Sequence, residues 1–162
     1  MKIKNYTPIK YNDSRGANNI HFEDIDEGIC YKSSFSKKNV FRGLHIQIPP
    51  EPQEKYISVS KGKVLDFVLC LNSKSNDFGK IKSFTITPEK GFYKIPKYCA
   101  HGYLAEVDSV FDYICVGKYA ETNEITIVME DDFYLDKIIS KKDKKGMGID
   151  EALIFFKNIN WE

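Results

Sequence analysis

The stretch YISVSKGKVLDFVLCL, residues 56–71, decides the fold class. Its first part alternates, with Ile57 and Val59 on one face, as is typical of a half-buried β-strand. The turn Lys61-Gly62-Lys63 follows, and residues 64–71 then form a run that is apolar on both faces. Two β-strands joined by a tight connection are therefore predicted here.

Further short extended segments follow along the chain, separated by turn signals at intervals of roughly 8–14 residues. These predicted strands are Ile81–Thr87, Gly91–Ile95, Gly102–Glu106, Val110–Val116 and Glu124–Met129, with Val107-Asp108-Ser109 as a hairpin turn. One helix is predicted near the end, over Glu151–Asn158, with Asp150 as its N-cap. The pattern predicts an all-β sandwich or barrel with a short C-terminal helix, because βαβ units would need helices between the strands.

Length and composition restrict the function classes. The 162 residues are 42% hydrophobic and show no repeat or linker, so a single domain over residues 1–162 is expected. The formal net charge of +1 provides no domain-wide positive field, and nucleic acid is not an expected partner. With no predicted signal peptide or membrane span, a cytoplasmic location is expected. The four cysteines match neither a metal pair nor a disulfide framework and are expected to be reduced.

Arginine use is unusual in this chain. Of its 24 basic residues only Arg15 and Arg42 are arginines, and each precedes a glycine. The planar guanidinium grips a carboxylate or phosphate at two points, which lysine does not do. The two arginines are therefore either ordinary surface or structural residues, or ligands of an anionic group.

Histidine is the first candidate for catalysis. In the strand-like segment 40–47, alternation places Gly43, His45 and Gln47 on one face, and a polar face inside a barrel implies a pocket. A histidine satisfied by hydrogen bonds in a core is the alternative, but Gln47 and the nearby Lys55 favour function. His101 precedes a predicted strand, and sequence alone leaves its role open.

Metal and cofactor signals are weak. The three histidines are dispersed, and no carboxylate follows His45 at a metal-ligand interval, so no metal site is expected. The glycines form neither a dinucleotide-binding nor a phosphate-binding loop. No organic cofactor is expected, and no nucleophile motif stands out.

Several motifs together resemble the dTDP-4-dehydrorhamnose 3,5-epimerase family, in order and in spacing. They are Asp13-Ser14-Arg15-Gly16, Phe41-Arg42-Gly43-Leu44-His45-Ile46-Gln47, Pro49-Pro50, Gln53-Glu54-Lys55, Lys61-Gly62-Lys63-Val64-Leu65-Asp66, Ser75-Asn76-Asp77-Phe78-Gly79-Lys80, Ile95-Pro96 with Ala100-His101-Gly102-Tyr103, and Ile139-Ser140-Lys141-Lys142-Asp143. The resemblance covers almost the whole chain. It implies a cupin-type jelly-roll barrel, without metal or organic cofactor, that inverts carbons beside the C4 ketone of a nucleotide-linked 4-keto-6-deoxy sugar. It also implies a homodimer that shares N-terminal strands.

The resemblance implies roles for nine residues. His45 would be the general base, Asp143 its orienting partner, Tyr113 the acid on the opposite face and Lys55 the group beside the C4 oxygen. The expected substrate-binding residues are Arg15, Arg42, Gln47, His101 and Lys142. Arg15 and Arg42 would hold the diphosphate, although a regular strand would put Arg42 on the face opposite His45 unless a strand end or bulge intervenes.

The chain also departs from the family pattern. Ala17-Asn18-Asn19-Ile20 stands where an aromatic run ending in glutamate is usual, and Cys30 and Lys32 stand where glutamine and asparagine are usual. In the family these positions help to hold the nucleotide, so the sequence does not determine which nucleotide base is bound. A 3,4-ketoisomerase on the same substrate class, or a non-catalytic barrel that binds sugar nucleotides, are the alternatives to an epimerase. The joint presence of the base, its partner, the acid and the lysine favours catalysis.

Overall fold

The computed structural model describes residues 3–161 and consists mainly of β-strands. The strands are β1 (Ile9–Asp13), β2 (Gly16–Asp24), β3 (Ile29–Ser36), β4 (Phe41–Gln47), β5 (Glu54–Lys61), β6 (Val64–Cys70), β7 (Ile81–Ile86), β8 (Tyr93–Ile95), β9 (Cys99–Ala105), β10 (Ser109–Val116), β11 (Glu124–Val128) and β12 (Met147–Gly148). One α-helix, α1 (Ile149–Phe156), follows β12, and three short 3₁₀ turns lie at Pro88–Lys90, Glu121–Asn123 and Asp131–Tyr134.

The described strands form two sheets of six. One sheet has the order β1-β2-β3-β10-β5-β8, and the other has the order β12-β11-β4-β9-β6-β7. All pairings are antiparallel except that of β11 with β12. The all-β, jelly-roll prediction with one short C-terminal helix is confirmed.

Two local predictions are wrong. β9 and β10 do not form a hairpin, because β9 pairs with β4 and β6 while β10 pairs with β3 and β5. Their connection, residues 106–108, crosses from one sheet to the other. Helix α1 begins two residues earlier than predicted, with Gly148 at the N-cap position and Asp150 inside the first turn. A short connection and alternation predict two strands but not whether they pair.

The hydrophobic core has two parts. One lies between the second sheet and α1, where Phe41, Leu44 and Phe156 are fully buried. The other lies between the sheets and includes Ile57 and Phe111. Burying a side chain of this size stabilises the fold by roughly 1.5–3 kcal/mol. The second cluster fills only part of the space between the sheets, and the rest is a cavity.

Helix α1 has eight residues, and no helix in residues 3–161 has the length and apolar character needed to cross a membrane. The predicted cytoplasmic location stays a prediction. The four cysteines are free and buried. They lie in two cross-strand pairs, because Cys30 is opposite Cys115 and Cys70 is opposite Cys99.

Candidate active site

A cavity of about 340 Å³ opens between the two sheets. Its lining combines side chains from β3, β5 and β10 of one sheet with side chains from β4 and β9 of the other. Ile57, Tyr103 and Phe111 belong both to this lining and to the apolar cluster between the sheets, so the cluster closes the inner end of the cavity. A concave site of this size, with polar groups converging on it, is typical of small-molecule binding.

Eight of the nine predicted residues line this cavity. They are Arg15, Arg42, His45, Lys55, His101, Tyr113, Lys142 and Asp143. The sequence separations between them reach 128 residues, for Arg15 and Asp143. The fold therefore brings together residues that sequence spacing alone does not connect.

His45 and Asp143 are in direct hydrogen-bond contact in the cavity. His45 Nε2 lies 2.7 Å from Asp143 Oδ1, and the Nη1 of Arg15 donates to the other carboxylate oxygen at 3.1 Å. The Asp143 carboxylate is 1% exposed. Burial favours the protonated acid, but the hydrogen bond and charge of His45, followed by the charge of Arg15, bring the pKa of Asp143 below its ordinary value. Asp143 is thus a buried carboxylate that orients the ring of His45.

Tyr113 lies on the wall opposite His45, because it belongs to β10 of the other sheet. Its hydroxyl donates to Asn18 Oδ1 at 3.3 Å. Burial raises the pKa of Tyr113 above its ordinary value, so the phenol keeps its proton near neutral pH. The cavity therefore has an imidazole on one side and a protonated phenol on the other.

Lys55 lies on β5 of the same wall as Tyr113. Burial lowers the pKa of Lys55 below its ordinary value, and the nearby ammonium of Lys32 acts in the same direction. Among residues 3–161, neither lysine has a carboxylate within ion-pair distance. The Nζ of Lys32 instead lies 5.0 Å from the centre of the Tyr119 ring. These two ammonium groups are available to an anionic or electron-rich ligand.

A bulge in β4 brings Arg42 to the same cavity as His45. The pairing of β4 with β9 shifts register between these two residues. At Gly43, φ is +125°, and an added Cβ would lie 2.5 Å from the Cα of Gly102, so only glycine fits between the strands. Arg42 Nε donates to Ser36 Oγ at 2.9 Å. The bulge that Arg42 and His45 need in order to share one pocket is therefore present.

His101 is buried against Asp66. His101 Nε2 lies 2.8 Å from Asp66 Oδ2, and the histidine ring stacks on Phe111 with 5.8 Å between ring centres. Burial raises the pKa of Asp66, while the charge of His101 acts against that rise. The other carboxylate oxygen, Asp66 Oδ1, is buried without a hydrogen-bond partner among the described residues. The pair holds the His101 ring at the cavity wall.

Gln47 is the predicted site residue that does not line the cavity. Its amide nitrogen donates to the carbonyl of Lys118 at 2.7 Å and also to that of Glu51, and its oxygen accepts from the N–H of Ala120 at 3.0 Å. Gln47 therefore holds two loops together beside the end of β4. Strand alternation places it on the face of His45, but the cavity does not extend that far. The third histidine, His21, also lies outside the lining and contacts Ser33.

Sequence reasoning missed several side chains of the lining. Glu124, at the start of β11, forms an ion pair with Lys142 and accepts from the Tyr119 hydroxyl at 3.3 Å. Burial would raise the pKa of Glu124, but the charge of His45 and the contact with Lys142 lower it overall. Lys32 and Asn18, named from the sequence only as departures from the family pattern, also line the cavity. Only the strand pairing, which sequence periodicity does not give, places them beside Tyr113.

The cavity lining is predominantly basic. It contains the cationic side chains of Arg15, Lys32, Arg42, Lys55 and Lys142, against the carboxylates of Glu124 and Asp143. Both arginines of the chain are among them. Within residues 3–161 no group of three or more His, Cys, Asp or Glu side chains is arranged to hold a metal ion. A cavity with this charge suits an anionic ligand.

Comparison with known proteins agrees with this geometry. The family model described as dTDP-4-dehydrorhamnose 3,5-epimerase matches residues 5–151. The chain belongs to this family. The resemblance found in the sequence motifs is thereby confirmed, and so is the prediction of an epimerase-type isomerase.

Individual relatives match over nearly their full length. The dTDP-4-dehydrorhamnose 3,5-epimerase of Methanothermobacter thermautotrophicus is 28% identical over 170 residues, covering 91% of this chain and 90% of the relative. The enzyme of the same name from Escherichia coli is 30% identical over 167 residues, covering 90% and 89%. The crystal structure of the enzyme from Sulfolobus tokodaii superposes with a TM-score of 0.70 at 32% identity, covering 88% of this chain and 87% of that one. The fold and the family agree across these relatives.

Proposed function

We propose that the whole chain acts as one epimerase domain on a nucleoside-diphosphate 4-keto-6-deoxy sugar, inverting C3, C5 or both. One observation carries the proposal: His45 and Tyr113 line the same cavity from opposite sheets. Inversion needs a base on one face of the sugar ring and an acid on the other. The neutral phenol and the carboxylate-oriented imidazole supply this pair.

The proposed reaction has two proton transfers. His45 removes the proton beside the C4 ketone, the C–H bond breaks, and its electrons move to the ketone oxygen as an enolate. The Lys55 ammonium stabilises that oxygen, and a preorganised cation of this kind is most effective where water is excluded. Tyr113 then donates its proton to the same carbon from the other face. Positioned acid–base groups of this kind accelerate a reaction by roughly 10²- to 10⁴-fold.

The diphosphate of the substrate would be held by the basic side of the lining. Arg15 and Arg42 supply planar, two-point donors, and Lys142 adds a third cation. Lys32 and Tyr119 lie together at the same cavity. No metal is assigned to this binding mode, because the cationic side chains of the lining provide the positive charge themselves.

We also propose that the protein is a homodimer. β1 is the edge of its sheet, and all five of its residues are exposed, including Ile9 and Tyr11. An exposed edge strand with apolar side chains is a template for pairing with another chain. Light scattering after size-exclusion chromatography is expected to give twice the mass of the 18.7 kDa chain. A mass of one chain at micromolar concentration would contradict the dimer.

Proton exchange in deuterated water tests the reaction. Thymidine- and guanosine-diphosphate 4-keto-6-deoxyhexoses are incubated with the protein, and NMR follows the ring protons. Deuterium entering C3 or C5 with inversion supports an epimerase, and the responding nucleotide identifies the base. A carbonyl that moves to C3 would indicate a ketoisomerase, and binding without exchange would indicate a non-catalytic protein.

Three variants assign the roles in the same assay. His45→Ala is expected to abolish exchange, and Tyr113→Phe is expected to keep exchange but lose inversion. His21→Ala is the matched control, because His21 lies outside the cavity lining. Inversion at the wild-type rate in His45→Ala or Tyr113→Phe would remove that residue from the mechanism.

A further inference from the structure

Asn18 contacts the hydroxyl of Tyr113 at the cavity wall. It lies on β2, directly opposite Ser34 of β3. Its Oδ1 accepts two hydrogen bonds, one from the Tyr113 hydroxyl at 3.3 Å and one from the Ser34 hydroxyl at 3.2 Å. All three side chains belong to the cavity lining.

We propose that Asn18 is a positioning residue that fixes the direction of the Tyr113 proton before it is delivered to the substrate; this inference rests on the proposed function. A hydroxyl can donate or accept, and its hydrogen rotates to suit its partners. An amide oxygen can only accept. Tyr113 must therefore be the donor in its contact with Asn18.

The length of the contact suits this role. Hydrogen bonds between two oxygens are usually about 2.5–3.0 Å long. At 3.3 Å the bond from Tyr113 orients the proton but holds it loosely, so the substrate carbanion competes for it effectively. Burial keeps the phenol protonated in the free protein. The proton is thus present in the free protein and is held at Asn18 until the substrate takes it.

The chain reaches this position through the turn between β1 and β2. At Gly16, φ is +138°, and an added Cβ would lie 2.2 Å from the carbonyl oxygen of Phe35, so the turn requires glycine. Arg15, just before this glycine, donates to Asp143, which is the partner of the proposed base. Asn18, two residues after it, contacts the proposed acid. One hairpin therefore touches both halves of the acid–base pair.

The test compares inversion with exchange. Asn18→Leu keeps the size of the side chain and removes the acceptor, and it is expected to lower the number of inversions per exchange event at least fivefold. Asn18→Asp keeps an acceptor oxygen in place and is expected to stay within about threefold of the wild-type ratio. Asn19→Leu is the matched control on the neighbouring position of β2, outside the cavity lining. Its ratio is expected to equal that of the wild type.

Other outcomes would overturn the role of Asn18. A merely structural role would lower exchange and inversion together and leave their ratio unchanged. An unchanged ratio in Asn18→Leu, or an equal fall in Asn19→Leu, therefore contradicts the proposal while leaving the epimerase function intact. If Asn18→Leu does not fold, a ratio in Asn18→Asp more than tenfold below that of the wild type contradicts it instead. A wild-type protein that exchanges no ring proton would remove the proposed function and this inference together.

Discussion

His45 Nε2 and Asp143 Oδ1 lie 2.7 Å apart, although 98 positions separate the two residues in the chain. The carboxylate is buried and accepts a second bond from Arg15. Such a carboxylate stabilises the imidazolium that forms when the ring takes up a proton. The relationship therefore predicts that the negative charge of Asp143, and not only its shape, supports the base.

Replacing Asp143 with asparagine tests this charge. Asp143→Asn keeps the shape but removes the charge, and we expect exchange of the substrate ring protons to slow by about 10²-fold. Asp13→Asn is the control, because Asp13 also binds Arg15, at 2.8 Å, but does not contact His45. We expect it to exchange within about threefold of the wild type. An equal loss in both variants would show that the effect passes through Arg15.

The alkaline limb of the pH–rate profile reports on Lys55. Burial places its pKa below the ordinary 10.5, and an ammonium that stabilises the enolate is lost as the pH rises through that pKa. We therefore expect kcat/KM to fall with rising pH, beginning below pH 10.5. Burial raises the pKa of Tyr113, so the phenol does not cause this limb. Lys55→Met is expected to lower kcat/KM by about 10²- to 10³-fold and to abolish the limb.

Lys32 gives an independent check on the same limb. Its positive charge acts to lower the pKa of Lys55. Lys32→Met is therefore expected to move the alkaline limb to higher pH in the same kcat/KM profile. The exposed Lys61, which lies on the same strand β5 as Lys55, serves as the control. Lys61→Met should leave the pH of the alkaline limb unchanged. A limb that stays fixed in Lys32→Met would mean that another group titrates there.

The cysteines are expected to resist alkylation in the folded protein. Burial raises the pKa of Cys30 to about 11 and that of Cys99 to about 12. At pH 8 only about one in 10³ Cys30 thiols is ionised, and the thiolate is the species that reacts with iodoacetamide. Mass spectrometry after one hour with iodoacetamide should find less than about 10% modification without denaturant and four modified thiols in urea. Rapid modification of either cysteine in buffer would contradict its burial.

Catalysis is expected to survive metal removal. The described cavity offers three lysines and two arginines where a metal would otherwise supply positive charge. Dialysis against EDTA should leave the exchange rate within about twofold, and elemental analysis should find no stoichiometric metal. A loss of exchange that zinc or magnesium restores would show that the prediction of a metal-free site is wrong.

The sequence predicted the strands better than the pairing between them. Alternation and turn residues located β5, β6 and β10 to within two residues at each end, because local side-chain patterns determine them. The assumed hairpin before β10 failed, since two adjacent strands separated by a short turn can also belong to facing sheets. The N-terminal strands β1 and β2 lacked a clear pattern, and their residues are exposed or half-buried.

The candidate site shows the same division. His45, Tyr113 and Asp143 were predicted from the resemblance to the family, and the structure brings them to one cavity. Gln47 was grouped with them because strand alternation is a local rule, whereas the cavity ends before this position. Glu124 was missed because its place depends on how β11 pairs with β4, which is a long-range property.

The inward-facing wall of β3, β5 and β10 has a further consequence for how relatives of this protein can diverge. Lys32, Tyr113 and Ile57 lie in one row across the three strands, and only the middle member transfers a proton in the proposed reaction. The outer two can be exchanged without breaking the backbone ladder, since strand pairing uses main-chain atoms. Selectivity for different sugars or bases can therefore change through substitutions at positions 32 and 57, while the proton donor Tyr113 between them is retained.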